Sequence, residues 1–336
     1  MTLSAKIKKT INAGVQIIVA IFALWFIYRQ VFSTGNLQFY INTVMTHRID
    51  KVFIVLMAVV MLIMPVNWGV EAYKWQILIS HVEHVSFLQA IKSVFTGITV
   101  SVFTPNRVGE FFGRLLTLKN NHPLKGAFLT ITGSVSQLLT TLLMGFFAIC
   151  FYIPTYYNLH KTSYLLIYSG LVLLLIIIGI VMISLFLKAS SISGLSKAFI
   201  RPGWQKIRGY LRIMRQLNRK LLIRVLMLSM LRYLIFSTQY YILLRTFGLS
   251  IPWFQAFILI SMTYFVMAAI PTIALVDLGI RGSVSIYFIG QYFGDKIGVS
   301  VSILAASTAI WIINLAIPAL IGMFFINRLK IIRKVS

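Results

Sequence analysis

The sequence predicts an all-α polytopic membrane protein with about six full spans and two re-entrant helical hairpins. The halves form an inverted repeat, with both termini cytoplasmic. Three observations predict this. Hydrophobic residues make up 59% of the 336 residues, and only 11% are charged, against roughly 45–50% and about 25% in soluble domains. Mean hydropathy is +0.90. Six stretches reach the length of about 20 apolar residues needed to cross a bilayer. Two further stretches match one another and are each broken by a proline followed by charges.

The spans follow in order. The first, 11–32, comes after Lys6, Lys8 and Lys9 and lacks a small-x-small cleavage site, so it reads as a retained span rather than a secretory signal. The others are 52–79, 124–152, 162–187, 221–246 and 299–327. In 87–119 the apolar run stops at Pro105, and Arg107, Glu110 and Arg114 follow. In 253–291 it stops at Pro271, and Asp277 and Arg281 follow. Each half of these two segments is too short or too charged to span alone, which predicts hairpins buried against protein or a wet cavity. Two ordinary helix pairs, giving ten spans, are the alternative. The chain reads as one membrane domain, 1–336. Repeat one is 52–152 with hairpin 87–119, and repeat two is 221–327 with hairpin 253–291. Residues 162–220 connect them.

Charge sets the orientation. The chain holds 31 Lys and Arg against six acids, a net +25. A nucleic-acid footprint is the first thought, but these cations sit in short loops between apolar spans. Residues 188–224 carry ten Lys or Arg and no acid, and the tail carries Arg328, Lys330, Arg333 and Lys334. Both belong in the cytoplasm by the positive-inside rule, with a secondary pull toward anionic lipid. The near-neutral loops 33–51, 153–161 and 292–298 fall outside. Hairpin 87–119 then enters from the cytoplasm and hairpin 253–291 from outside, so their tips approach near the midplane. The single cysteine, Cys150, lies inside a span and forms no intrachain disulfide.

The two broken segments correspond at a near-constant offset. Pro271 less Pro105 is 166, and Asp277 less Glu110 and Arg281 less Arg114 are both 167. Paired interruptions in two halves mark the binding site of many transporters. In the first, Thr104 suits an N-cap and Pro105 a first helical position, which predicts a half-helix starting at the tip with its positive end toward an anion. Arg107, Glu110 and Arg114 then share one face, and Gly109 and Gly113 allow close backbone packing. Intramembrane charge is costly and points first to function; an internal salt bridge that merely fixes the hairpin is the other reading. The second hairpin pairs Asp277 with Arg281, amid Gly279 and Gly282, and lacks a counterpart of Arg107. Candidate substrate-binding residues are therefore Pro105, Asn106, Arg107, Gly109, Glu110, Arg114, Asp277, Gly279 and Arg281. Arg232 joins them as an unexpected charge within a span.

Other polar residues read more plainly. Glu71 and Lys74, beside Trp68, Tyr73 and Trp75, read as an interfacial aromatic anchor with an i, i+3 ion pair. Gln137 and Asn314 read as glue between helices. His81, Glu83 and His84 form a polar turn without the ligand set of a metal site. No phosphate loop, nucleophile elbow or metalloprotease motif occurs, so neither an enzyme nor a cofactor is expected.

Thr104-Pro105-Asn106-Arg107-Val108-Gly109-Glu110, with Arg114 behind it and the later Pro271…Asp277-Leu278-Gly279-Ile280-Arg281-Gly282, resembles the transmembrane (flippase) domain of the lysylphosphatidylglycerol synthases. The resemblance covers nearly the whole chain. It departs at Asp277, where the family more often has glutamate. It implies a stand-alone member without the soluble synthase domain, placed in the bacterial cytoplasmic membrane. The function it suggests is a lipid flippase or related transporter working by alternating access. The cargo is a phospholipid or polyprenyl-phosphate-linked lipid, with an anionic or phosphate-bearing head group held by Arg107 and Arg114. The alternative is a non-transporting scaffold that docks a lipid or envelope-polysaccharide synthesis enzyme through its basic loop. Nucleic acid is not an expected partner.

Overall fold

The computed structural model describes residues 50–102, 104, 107–118, 123–157, 162–188, 217–271, 274–294 and 298–326. The predicted span 11–32, most of the basic loop, and Pro105 and Asn106 lie outside the described residues. Within them the chain is all-helical, with no strand. Five helices are long and apolar enough to cross a membrane, and they correspond to five of the six predicted stretches.

Helix α1, Lys51–Ile79, is capped by Asp50, whose carboxylate accepts the Phe53 amide at 2.8 Å. Its buried face carries Val60, Met64, Asn67, Glu71, Lys74 and Leu78 at steps of three and four residues. Polar groups therefore sit on the side that packs inward, while Val55, Leu62 and Val66 are exposed, as suits contact with lipid. Helix α6, Arg219–Thr246, is capped by Asn218. It runs antiparallel to α1: Lys74 reaches Ser229, Gln239 reaches the Val60 carbonyl, and Phe53 packs on Phe247.

Between the long helices lie shorter pieces. Helix α2, Phe87–Val102, folds back on α3, Gly109–Leu115. A Cβ on Gly113 would lie 2.7 Å from the Gly97 Cα and 2.8 Å from the Thr96 carbonyl. The two backbones thus touch, as small residues permit. Helix α7, Trp253–Ala269, folds back in the same way on α8, Ala274–Phe293.

Helix α4, Pro123–Tyr156, packs on α7, and Gly145 admits the Phe265 ring. Helix α9, Val299–Trp311, continues through a π-helical turn, Ile312–Ala316, into α10, Ile317–Ile326. The turn precedes Pro318, which lacks an amide and crowds the carbonyl four residues back; a wider turn relieves both. Helix α10 packs on α2, where Gly322 lies against the Phe95 carbonyl and the Thr99 hydroxyl donates to the Ala319 carbonyl at 2.7 Å. Helix α10 thus packs on α2 as α4 packs on α7.

Helix α5, Thr162–Leu187, sits apart from this exchange, against α4 and more lightly α6. Only Leu175, Gly179 and Phe186 of it are buried.

Candidate functional site

The inward polar faces of α1 and α6 meet the two folded-back segments in one charged cluster. Glu71 is its hub. Its carboxylate lies 2.8 Å from Lys74 Nζ, 2.9 Å from Arg114 Nη2 and 3.3 Å from Arg232 Nη1. Arg114 also pairs with Glu110 one turn earlier on α3. Across the cluster, Asp277 accepts Arg281 at 3.0 Å and faces Arg107 at 3.8 Å. The Arg107–Asp277 contact joins the first broken segment to the second. Glu71, Lys74, Arg114, Asp277 and Arg281 are all buried.

Two adjoining cavities open beside these charges. The larger, about 750 Å³, is lined by Arg107, Arg232, Asp277 and Arg281 together with Trp68, Tyr264 and Asn314. The smaller, about 210 Å³, is lined by Glu71, Lys74, Glu110 and Ser134 among others. Arg107, Arg232, Gln137 and Trp68 belong to both walls. Arg232 lies over the Trp68 ring, 4.8 Å from its centroid, which fixes the guanidinium at the junction.

The cluster is unbalanced. Among the described residues, Lys74, Arg107, Arg114, Arg232 and Arg281 face Glu71, Glu110 and Asp277: five cations against three carboxylates. Residues that line the larger cavity also carry buried donors without a hydrogen-bond partner: Trp68 Nε1, Arg232 Nε, Arg281 Nε and Nη1, and the Tyr264 hydroxyl. Buried polar groups are almost always satisfied, so unpartnered donors on residues that line a cavity, together with the excess positive charge, suit an acceptor-rich anion.

The predicted site residues divide. Arg107, Arg232, Asp277 and Arg281 line the larger cavity, and Glu110 lines the smaller. Arg114 lines neither; its guanidinium is held between Glu71 and Glu110. Gly109 packs against α2, its amide held by the Thr104 hydroxyl at 2.8 Å, and Gly279 lies within α8, accepting from Ser283.

Several readings need correction. Helix α3 starts at Gly109, not at Pro105, and is seven residues long. Arg107 takes a left-handed φ of 55°, which cannot continue a right-handed helix. It therefore leaves the face shared by Glu110 and Arg114 and turns to Asp277. Glu71 and Lys74 do form an ion pair, but at the buried centre rather than at an interface. Their signal was the i, i+4, i+7 spacing of Asn67, Glu71 and Lys74, in step with Val60 and Met64. Gln137 and Asn314 join helices as expected: Asn314 bonds Asn67 and Gln239, and Gln137 accepts from Lys74 and Arg232. They also line the cavity wall.

The family described as the lysylphosphatidylglycerol synthase TM region matches residues 14–322. No curated protein matches the chain. The chain belongs to this family, and it is a membrane protein of lipid-related kind.

Proposed function

We propose that this protein is a flippase or related transporter that carries a phosphate-bearing lipid across the bacterial cytoplasmic membrane. The observation that carries the reading is the cavity of about 750 Å³ with excess cations and unpartnered donors in its wall. The head group enters that cavity and the tails remain in the bilayer. Leu138 supports lateral entry. It lies near the middle of α4, is exposed, and continues an exposed stripe of Ile131 and Val135 into the cavity lining. Arg107 and Arg232 hold the head group. Arg114, already bonded to two carboxylates, positions Arg232 through Glu71.

Alternating access follows from an inverted repeat of 52–152 and 221–327, each a span, a re-entrant hairpin and a span. The antiparallel α1–α6 pair and the reciprocal α2–α10 and α4–α7 contacts support it. Rocking one half against the other breaks and remakes the Arg107–Asp277 contact between hairpins.

Scrambling in proteoliposomes tests the proposal. Purified protein is given a panel of head-group-labelled lipids, with and without a proton gradient. Movement of one lipid class, lost in a folded Arg232→Gln variant, is the expected result. No movement of any lipid overturns transport and turns attention to a scaffold and its partner enzyme.

A further inference from the structure

We infer that the preferred head group ends in a phosphate monoester or diphosphate and carries no amine. The inference rests on the transport reading and names its substrate class. It comes from charge and hydrogen-bond capacity. The cluster holds two cations more than carboxylates among the described residues. Uncompensated charge in a low-dielectric site is strongly disfavoured, so the best ligand brings about two negative charges.

A terminal phosphate carries about −1.5 to −2 at pH 7 and presents three strong acceptor oxygens. A phosphodiester brings one charge, leaving a cation without a counter-charge. A zwitterionic head group brings none overall, and one esterified with lysine adds to the excess. The unpartnered groups agree. Arg232 Nε, Arg281 Nε and Nη1, and Trp68 Nε1 only donate, and the Tyr264 hydroxyl can donate. An amine would need acceptors. Among the carboxylate and amide oxygens of this lining, Asp277 already faces Arg281 and Arg107, Gln137 already accepts from Lys74 and Arg232, and Asn314 from Asn67, which leaves the Asn67 carbonyl oxygen unpartnered.

The test uses the full chain in detergent, with lipids of identical tails and different heads. Dioleoyl phosphatidic acid is the monoester and dioleoyl phosphatidylglycerol the diester. Phosphatidylethanolamine and an aminoacylated phosphatidylglycerol complete the set, and inorganic phosphate is the soluble competitor. Retention is read by native mass spectrometry and by thermal shift. Phosphatidic acid is expected to bind roughly tenfold or more tightly than phosphatidylglycerol, since one charge-assisted hydrogen bond is worth about that. Gln137→Glu changes no shape and adds a carboxylate to the wall, where Gln137 lies within 3.5 Å of both Lys74 and Arg232. It is expected to erase that preference while the fold is kept.

Equal binding of monoester and diester, or tightest binding of the aminoacylated lipid, overturns the inference. So does a Gln137→Glu protein that keeps the preference. Inorganic phosphate that displaces phosphatidic acid at similar concentration makes the site one for a soluble anion. If a diester or aminoacylated lipid binds best and also moves in proteoliposomes, transport stands and the head-group assignment falls. If nothing binds and nothing moves, both fall.

Discussion

Glu71 holds three cations, so its charge matters more than its shape. Replacing it by glutamine keeps the volume and leaves Lys74, Arg114 and Arg232 short of a counter-charge. Breaking a buried pair in this way costs about 3–5 kcal/mol. Glu71→Gln is expected to lower the midpoint of thermal unfolding in detergent by several degrees. Glu110→Gln, whose side chain is 22% exposed, should lose only ~1 kcal/mol, the scale of a solvated pair. Equal midpoints for the two variants would remove Glu71 from the hub. Arg232 makes a different prediction. Lysine keeps its charge but loses the planar stack over Trp68 and the second donor direction. Arg232→Lys should therefore keep most stability and lose most lipid movement in the scrambling assay. At this scale the sequence marks which charges lie in the membrane but not which partners they take. Arg107, Glu110, Arg114, Asp277 and Arg281 stand out because a carboxylate or guanidinium in an apolar run is conspicuous. Glu71 stands near the end of a run, where an interfacial reading costs nothing, and its partners at 114 and 232 are remote along the chain.

Elements are held together by glycines at their crossings, and these differ in what a methyl group would meet. At Gly322 a Cβ would lie 2.1 Å from the Phe95 carbonyl oxygen, a backbone atom of α2. Gly322→Ala must therefore push α10 from α2, at ~1–3 kcal/mol or more. Gly145→Ala meets the Phe265 ring and also its Cβ at 2.6 Å, an atom that side-chain rotation cannot move, so α4 must likewise shift from α7 at a comparable loss. Gly170 has nothing within 4 Å, and Gly170→Ala should be neutral or stabilising by up to ~1 kcal/mol through helix propensity. Thermal unfolding of the three variants gives the order directly, and a Gly322→Ala protein as stable as wild type would remove the close crossing. The existence of these helices was legible because hydropathy is a one-dimensional property. Their breaks were only half legible. Pro105 and Pro271 announce that each run ends, yet the start of α3 at Gly109 depends on the left-handed Arg107, and local capping preference carries no information about that. The π-turn before Pro318 is likewise a compromise between a proline and continued packing on α2.

At the scale of the whole molecule, the two halves must insert with opposite orientation if the repeat is inverted, and the helix ends make this testable. The start of α1 lies beside the end of α6, through Phe53 and Phe247, while Lys74 lies beside Ser229 toward the other ends. Residues 52 and 245 should therefore face one side of the membrane, and residues 80 and 220 the other. The excess of Lys and Arg around 188–224 assigns the second side to the cytoplasm. In a Cys150→Ser background, single cysteines at Val52 and Arg245 should react with an impermeant maleimide added outside intact cells. Cysteines at Ser80 and Lys220 should react only after the membrane is opened. Labelling of Val52 and Lys220 from one side, and of Ser80 and Arg245 from the other, would rule out the inverted arrangement, and with it the rocking of one half against the other. Labelling of the two pairs with sides exchanged would keep the inversion and reverse the orientation, and the basic loop would then owe its charge to something other than topology. The same experiment bears on transport, because a cavity shared by two oppositely inserted hairpins can open in turn to each side, whereas two hairpins entering from one side give a cavity with a single entrance.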